Sequence, residues 1–515
     1  MRNVERALKL DFREQVELVC MGHGKHMGTH VAWQLRGRPD GAFWEQLRGP
    51  HLSCSFGHDG GVNSSCWQVD YSGVPSRLEL DDREAQLMAT WPSASTQLTA
   101  DVGASTSASN HVTLALCLSG GKMVSHLRIC TATWRPLQLQ QPLAGDWETW
   151  SYEGWAQWQP RLHFPACTQH LAVSAGGNCY NTDSVQLAAR YSLAPYSMPA
   201  VALRPPGTHY DPRLPSAVPA WWTVSGHVVV EPVINGRTVG FMILDTGASN
   251  CVIERSAADQ LGLDAFGSLF VSGMAGKVDS VYRTAATLQL GPLTMKRPLF
   301  FEMPLGGLVR GEPGRIIGIV GADVFRRATV ELPQPPSHAP GNYRPQPYAV
   351  HLHDPETYRA PAAAEAAWQP VLMVSNLPHV YVRMQVADAA QQTKALLLLD
   401  SGAGGMDIIF SPRATALLNV PNAATQNLRV IKGVGGSEVN GKQSGRAAST
   451  TLDWVQAHVS LLAVLALLLG GFAGPLHSPP HAHQQLLLMA SDGQNVVPGR
   501  GLAREVDAAV VMFWT

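Results

Sequence analysis

The hydrophobic pattern divides the chain beyond about residue 222 into two copies of one short motif. In the first copy, an alternating run at 227–232 leads through a turn at Asn235-Gly236 into four apolar residues at 241–244. In the second, an alternating run at 380–386 leads through a loop into the four leucines at 396–399. Alternation is typical of a half-buried strand and a continuous apolar run of a fully buried one, so each copy predicts a β-hairpin.

Each of the two apolar strands ends at an aspartate, which is followed by a small hydroxyl residue and a glycine. The triplets are Asp245-Thr246-Gly247 and Asp400-Ser401-Gly402. Glycine permits a tight turn, and a Thr or Ser hydroxyl can hydrogen-bond across a close contact without steric cost. We expect the two aspartates to meet in one site, with the other four residues supporting their loops.

The two copies continue in the same order after their aspartates. Ser256 and Ser411 follow at equal distances, and each is expected to cap a short helix. Glycine-rich hairpin tips come next as candidate flaps: Gly273, Met274, Ala275 and Gly276 in one copy, and Gly433, Gly435 and Gly436 in the other. Two apolar residues and a glycine then predict a supporting strand for each loop: Ile319, Val320 and Gly321, and Leu468, Leu469 and Gly470.

Proline-rich segments separate the two copies from each other and from the first part of the chain, and such segments are typical of linkers. The earlier block has short alternating runs that predict an antiparallel β-domain. The expected domains are this β-domain at 1–200, a Pro-rich linker at 201–221, a first lobe at 222–333, a Pro/Ala-rich linker at 334–367 and a second lobe at 368–515 that departs from the repeat toward its end.

Composition favours β-structure and argues against nucleic acid as a partner. The 515 residues include 48 glycines and 36 prolines, while charged residues make up 15% and the net charge is -1. The eight cysteines lack metal-binding spacing, and their disulfide state stays open. No signal peptide is readable at the N-terminus. The leucine-rich run at 460–476 is interrupted by glycines and a proline, so it predicts a buried strand and turn, with a membrane span as the alternative.

Two carboxyl groups at one site can provide the acid and the base that hydrolysis by water requires, and hydrolysis of a peptide bond is one such reaction. Peptide hydrolysis by water needs one group that takes a proton from the water and one that gives a proton to the carbonyl oxygen. Two adjacent carboxyl groups cannot both ionise easily, so they share one proton and perform both tasks. Asp245 and Asp400 are therefore the candidate catalytic residues. The reaction requires no metal and no cofactor.

The two motif copies resemble the lobes of the retropepsin and pepsin superfamily of aspartic peptidases. The resemblance rests on Leu244-Asp245-Thr246-Gly247-Ala248 with Ile316–Asp323 in the first copy, and on Leu399-Asp400-Ser401-Gly402-Ala403 in the second. It implies a mainly-β fold, with the N-terminal antiparallel curved sheet followed by two pseudo-twofold-related β-barrel lobes. It also implies catalytic roles for Asp245 and Asp400, and a bracing role for Thr246 and Ser401.

The resemblance further implies an aspartic-type endopeptidase whose substrate is a peptide or protein segment in extended conformation. Pairing of the two lobes within one chain is favoured over a homodimer, because both aspartates lie in one sequence with a full lobe between them. After Gly470 the second copy departs from the family pattern. One alternative is therefore a catalytically inactive module that binds peptides or dimerises.

A second alternative concerns the N-terminal block. Its strand pattern, with turns at Asp59-Gly60 and Glu153-Gly154, resembles the curved-sheet domains of lipoprotein carriers of the outer-membrane sorting type. By this resemblance the chain is a lipid or lipoprotein carrier that acts through its first domain. A purely structural β-domain fits the same pattern.

Overall fold

The computed structural model describes twenty segments of the chain. These are residues 17–38, 40–60, 65–89, 96–99, 110–118, 121–143, 146–160, 162–172, 176–188, 196–273, 276–306, 309, 313–332, 346–359, 371–384, 393–403, 408–410, 455–456, 488–489 and 511–513. Strands predominate throughout, which confirms the predicted mainly-β class. Within these segments no helix is both long enough and apolar enough to cross a membrane.

The first of two compact units comprises Met1–Val201 together with Ala265–Val271 and Asp279–Tyr282. Its elements before residue 201 are β1 Glu17–His26, β2 Thr29–Gly37, β3 Phe43–Arg48, β4 Ser53–His58, β5 Cys66–Val69, β6 Pro75–Arg77, α1 Leu80–Ala89, β7 Thr96–Thr99, β8 His111–Leu118, β9 Ser125–Cys130, β10 Pro136–Leu143, β11 Asp146–Glu153, β12 Ala156–Gln159, β13 Leu162–Phe164, β14 Cys167–Leu171 and β15 Gly177–Ala188. Thirteen of these strands form an antiparallel sheet in the order β6-β5-β4-β3-β2-β1-β15-β14-β11-β10-β9-β8-β7.

The second unit comprises Ala202–Asp264, Ser272–Val278 and Arg283–Thr515, so the strands β22 and β23 are divided between the units. Its elements, with β22 and β23 included, are β16 Thr208–Tyr210, β17 Ala217–Trp222, β18 Val228–Val230, β19 Val233–Ile234, β20 Phe241–Leu244, β21 Cys251–Ile253, α2 Arg255–Leu261, β22 Ala265–Gly273, β23 Gly276–Thr284, β24 Thr287–Leu290, β25 Leu293–Lys296, β26 Leu299–Glu302, β27 Ile316–Val320, α3 Ala322–Phe325, β28 Thr329–Glu331, β29 Gln346–His353, β30 Leu372–Val374, β31 Leu377–Met384, β32 Thr393–Asp400, β33 Ile408–Phe410, β34 Val455–Gln456, β35 Leu488–Met489 and β36 Val511–Phe513.

The main sheet of the second unit follows the order β22-β23-β26-β21-β27-β20-β18-β17-β29-β28-β35. A smaller sheet has the order β16-β25-β24-β19, and a third the order β30-β31-β32-β36-β33-β34. The apolar residues of β20 and β27 lie in one core with those of β17, β24 and β29, including Met242, Leu244, Val320 and Leu352. The apolar strands predicted to precede the aspartates are thus buried, as their composition requires.

The antiparallel pairing of both predicted hairpins is confirmed, but in the first copy β19 lies between the two strands in sequence and pairs with β24. β18 pairs antiparallel with β20, and β31 pairs antiparallel with β32. Asn235 and Gly236 have φ angles of 50° and 74°, and Ile234 and Arg237 exchange backbone hydrogen bonds around them. Two consecutive positive φ angles are typical of the tight turn that an Asn-Gly pair favours.

The prediction that Ser256 caps a helix is wrong in its detail. Helix α2 begins at Arg255, and Glu254 occupies the capping position without a side-chain capping bond. Ser256 lies within the first turn, where its Oγ donates to a Glu254 carboxylate oxygen at 3.1 Å. The helix ends at Leu261 and is capped by Gly262, whose left-handed φ of 68° is the usual conformation after a helix end. Ser411 lies outside the described residues.

Strands lie within both segments that were expected to be linkers. β16 and β17 fall within or overlap 201–221, and β29 falls within 334–367. In β17, Val218, Ala220 and Trp222 alternate toward the core, with exposed fractions of 3%, 9% and 1%. This alternation places β17 between β18 and β29 despite Pro219, because apolar burial outweighs the missing backbone donor.

Candidate active site

The two predicted aspartate loops lie at the ends of buried strands. Asp245 directly follows β20, and Asp400 is the last residue of β32. The carboxylate Oδ1 of Asp245 accepts the N–H of Gly247 at 2.7 Å, and Oδ1 of Asp400 accepts the N–H of Gly402 at 2.8 Å. Each loop therefore folds back on its own aspartate, which fixes the carboxyl group in one orientation.

The two loops are joined by a reciprocal set of hydrogen bonds. The backbone N–H of Thr246 donates to Ser401 Oγ at 3.0 Å, and the N–H of Ser401 donates to Thr246 Oγ1 at 2.9 Å. The Thr246 hydroxyl donates to the Leu399 carbonyl at 2.7 Å, and the Ser401 hydroxyl donates to the Leu244 carbonyl at 2.9 Å. Each hydroxyl thus accepts one bond and donates one, and both bonds reach the opposite loop.

The carboxyl groups of Asp245 and Asp400 are hydrogen-bonded to each other. Each also lies against the glycine of the opposite triplet, because a methyl group on Gly247 would overlap the Asp400 carboxyl and one on Gly402 would overlap that of Asp245. Any larger residue at either glycine would separate the carboxyl groups. The structure therefore brings together all six residues that were predicted for the aspartates and their loops.

The shared environment raises the pKa of both carboxyl groups. Burial is the main cause for each, since it penalises the charged form. For Asp400, the neighbouring Asp245 charge and the hydrogen bond with that carboxyl raise the pKa further. For Asp245, the hydrogen bond with Asp400 and the backbone N–H groups around it lower the pKa and partly offset burial. The two groups therefore titrate as a pair.

Strand β27 supports the first loop, where Ile319-Val320-Gly321 was predicted to do so. It lies between β20 and β21, parallel to the former and antiparallel to the latter. The N–H of Asp245 donates to the Val320 carbonyl at 3.0 Å. At Gly321 a methyl group would overlap the Asn250 carbonyl oxygen, so the close approach of the chain here requires glycine.

Two further residues, one at each loop, were not predicted as site residues. Asp323 is buried, and its Oδ2 accepts the Cys251 backbone N–H at 3.2 Å and the Asn250 side-chain amide at 3.4 Å. His227 hydrogen-bonds to the Gly402 backbone, while burial lowers its pKa to about 4. Asp323 stands in the Ile316–Asp323 run, which was a signal for it. His227 stands at the start of an alternating strand, where nothing distinguished it from a packed residue.

In the sheet that contains β32 and the second loop, β36 occupies the position between β32 and β33. It runs antiparallel to β32 and parallel to β33, which is the reverse of the direction of β27 between β20 and β21. The residues predicted to form this strand, Leu468, Leu469 and Gly470, lie outside the described residues. So do the flap candidates Gly433, Gly435 and Gly436.

The first candidate flap is a hairpin of β22 and β23. Gly273 ends β22 and Gly276 begins β23, while Met274 and Ala275 lie outside the described residues. Further down the hairpin, Tyr282 is fully buried, as a packed tyrosine is expected to be. Its ring stacks on Phe266 at 5.5 Å.

The lower part of this hairpin packs inside the first unit. The Tyr282 hydroxyl donates to Met27 Sδ at 2.6 Å, and the Ser268 N–H donates to the Met27 carbonyl at 2.9 Å. Gly267 has a φ of +71°, and a methyl group there would overlap both the Met27 carbonyl oxygen and the Tyr282 ring. The hairpin base is therefore held by the β1–β2 turn of the N-terminal sheet.

Three solved structures are similar to parts of the chain. A putative outer membrane lipoprotein-sorting protein domain from Vibrio parahaemolyticus has 11% identity over 37% of this chain and 95% of that chain, with a TM-score of 0.28. A LolA superfamily protein from Nitrosomonas europaea has 13% identity over 37% and 94%, with a TM-score of 0.28. A chain of the MucA/MucB complex from Pseudomonas aeruginosa has 12% identity over 60% and 98%, with a TM-score of 0.15. At these TM-scores the likenesses carry no conclusion.

The sequence has no significant match among curated proteins. One family model, that of the aspartyl proteases, matches residues 230–324. This range contains Asp245 with its loop, the β22–β23 hairpin and strand β27 with Asp323. It ends before Asp400. Residues 230–324 therefore form an aspartyl protease-like region that supplies one of the two carboxyl groups of the site.

Proposed function

We propose that the chain is an aspartic-type endopeptidase that hydrolyses peptide bonds with a water molecule activated between Asp245 and Asp400. The observation that carries the proposal is the hydrogen-bonded carboxyl pair, held by reciprocal bonds between Thr246 and Ser401. An ordinary structural aspartate at a turn does not require a second buried carboxyl against it. Burial of two carboxyl groups side by side costs stability, and a role in proton transfer explains why the chain keeps them there.

The proposed chemistry needs one proton on the pair. Both pKa values are raised and the two groups titrate as a pair, so the pair holds one shared proton. In the proposed step Asp400 carries that proton and Asp245 is ionised. Asp245 takes a proton from the water as its oxygen attacks the carbonyl carbon, and Asp400 gives its proton to the carbonyl oxygen. In the collapse of the tetrahedral gem-diol, Asp245 gives its proton to the leaving nitrogen, the C–N bond breaks, and one hydroxyl proton of the gem-diol passes to Asp400, which restores the starting state of the pair. Two carboxyl groups and one water complete the reaction.

The proposed substrate is a peptide or protein segment in extended conformation. An extended strand can pair its backbone with the edge of a hairpin such as β22–β23, whose tip is glycine-rich. Closure of such a tip would exclude water from the carboxyl pair. We propose pairing of the two lobes within one chain, because Asp245 and Asp400 of the same chain are in contact.

Replacement of each carboxyl group tests the proposal. Asp245→Asn and Asp400→Asn keep size and hydrogen-bonding capacity but remove the shared proton, so each is expected to lower kcat/KM by about 10⁴-fold or more on an unfolded protein substrate. Asp264→Asn is the matched control, because Asp264 is exposed in the same lobe. A statine-type transition-state mimic should inhibit the wild type. Unchanged cleavage by Asp245→Asn would rule out the proposal.

A second candidate function is a peptide-binding module without catalysis. The direction of β36 favours this second function. β36 runs opposite to the direction that β27 has in the first copy, so the strand beside the second aspartate loop differs from the one beside the first. In this case the wild type would bind a statine-type peptide but cleave no peptide bond. Binding and cleavage measured on the same wild-type sample distinguish the two functions.

A further inference from the structure

A cluster of two histidines and one glutamate lies on the β28–β29 hairpin of the second unit. The two strands pair antiparallel, with Glu331 opposite His351 and Thr329 opposite His353. Val330 and Leu352 point into the core, with exposed fractions of 1% and 0%. Because side chains alternate along a strand, Glu331, His351 and His353 share the opposite face of the hairpin.

The spacing of the three side chains suits a bound metal ion. One ligand atom from each residue can be chosen so that all three lie within 4.8 Å of one another. His353 Nε2 and a Glu331 carboxylate oxygen are 3.1 Å apart. A metal with bonds of about 2.0–2.2 Å to nitrogen and oxygen holds neighbouring ligand atoms about 3.0–3.5 Å apart. Small side-chain rotations therefore suffice to place all three around one ion.

An ordinary ion pair explains only part of this arrangement. The ion pair joins Glu331 to His353 and does not include His351. The ring of His351 lies nearly parallel to that of His353, with an interplanar angle of 9° and a centroid separation of 6.0 Å. The centroids of the Tyr358 and His353 rings are 4.6 Å apart, so Tyr358 covers part of the cluster. The side chains of His353 and Glu331 are 22% and 23% exposed, so solvent reaches them but does not surround them.

We propose that Glu331, His351 and His353 form a binding site for a divalent transition-metal ion of the zinc type. Two imidazoles and one carboxylate match the ligand preference of Zn²⁺, while Mg²⁺ and Ca²⁺ prefer oxygen ligands alone. Three protein ligands leave a fourth position for water or an exogenous ligand. The ion joins β28 to β29 and stabilises the folded hairpin. The site is separate from the carboxyl pair and does not depend on the proposed peptidase activity.

Cobalt substitution tests the site on the full-length chain. Co²⁺ is added to the wild type after treatment with a chelator, and the visible ligand-field bands are recorded together with the metal content by mass spectrometry. We expect one Co²⁺ or Zn²⁺ per chain at this site and a higher melting temperature with Zn²⁺. His351→Ala and His353→Ala should each weaken binding by about 10-fold or more, and Glu331→Gln should also weaken it.

The matched control is His209→Ala, because His209 is exposed on β16 in the same unit. This variant should keep the wild-type bands and metal content. Circular dichroism of each variant without metal shows whether it is folded, and only folded variants are compared. Absence of Co²⁺ bands in the wild type, or equal bands in His351→Ala and His353→Ala, would overturn the proposal. Bands of thiolate-to-cobalt charge transfer would place the metal at cysteines instead and would also overturn it.

Discussion

The ionisation of the site depends on the contact between two side chains from different loops. Asp245 and Asp400 each occupy the space that a side chain at the opposite glycine would fill. Their pKa values are raised because burial disfavours charge, and the charge of Asp245 adds to this effect at Asp400. The folded chain therefore holds a proton that the unfolded chain releases.

This retained proton makes stability depend on pH with a definite sign. An unfolded aspartate has a pKa of about 3.9. Above that pH the unfolded chain loses the Asp400 proton while the folded chain keeps it, so the free energy of unfolding falls as pH rises toward the folded pKa. Each unit by which the pKa is raised corresponds to about 1.4 kcal/mol of lost stability. Below the unfolded pKa the loss disappears.

We expect Asp400→Asn to be more stable than the wild type at neutral pH, and to lose this advantage below about pH 4. Urea unfolding of both proteins across that pH range measures the difference. The double variant Asp245→Asn/Asp400→Asn is the control. It has no carboxyl pair, so the pair should make no contribution to the pH dependence of its free energy of unfolding. A difference between wild type and Asp400→Asn that stays constant with pH contradicts this expectation.

Strand β27 is the element on which the geometry of the first loop depends. It receives the Asp245 N–H at the Val320 carbonyl, and it approaches Asn250 so closely that Gly321 has no room for a methyl group. The N–H of Ala322 donates to the Ala248 carbonyl at 2.8 Å directly after the strand. The segment that follows Asp245 is therefore fixed at successive points along one strand.

Substitution of Gly321 tests this dependence. Gly321→Ala forces the loop away from β27 and should cost about 1–3 kcal/mol of stability, with a further loss of peptide cleavage. The midpoint of urea unfolding measures the first effect. Gly306→Ala is the matched control, since a methyl group at Gly306 meets no atom within 4 Å. Equal midpoints for the two variants would show that the loop adjusts to the added methyl group.

Local sequence predicted the elements that local interactions determine. The run 241–244 predicted β20, and Asn235-Gly236 predicted the turn before it, because burial and φ preferences act over a few residues. The direction of β36 was not predictable, since pairing between β32 and a strand more than a hundred residues later leaves no local pattern. Ser256 matched a capping residue by type alone, and the helix begins one residue before it.

The candidate site was predictable because it is repeated. Two Asp-hydroxyl-Gly triplets after matched apolar strands indicated that their loops meet. The reciprocal hydrogen bonds between Thr246 and Ser401 were expected only from the family resemblance. The spacing of residues along the chain does not show which side chain bonds to which. The cluster of Glu331, His351 and His353 was missed. A proline-rich stretch separates its residues in sequence, and only the pairing of β28 with β29 brings them together.

Across the full chain, the site requires both lobes, and the proposal assigns both to one molecule. Asp245→Asn and Asp400→Asn proteins each retain one carboxyl group. If the lobes pair within a chain, a mixture of the two variants has no intact pair and remains inactive. If lobes exchange between two copies, mixed dimers rebuild intact pairs and restore about a quarter of wild-type cleavage.

The expected result is no restoration. Equimolar mixtures are refolded together from urea so that exchange has an opportunity to occur, and cleavage is compared with wild type treated in the same way. Refolded wild type must regain its cleavage for the comparison to be valid. Recovery near a quarter would contradict pairing within one chain.

The reciprocal bonds between Thr246 and Ser401 have a consequence for the order in which the protein is made. On the ribosome, Thr246 emerges 155 residues before Ser401, and synthesis at about 5–20 residues per second separates them by roughly 8–30 s. During that interval the first loop lacks the Ser401 hydroxyl, the Leu399 carbonyl and the Asp400 carboxyl group, which later complete the site. A nascent chain thus carries half of the site, and the proposed peptide cleavage must await release of the residues around Asp400.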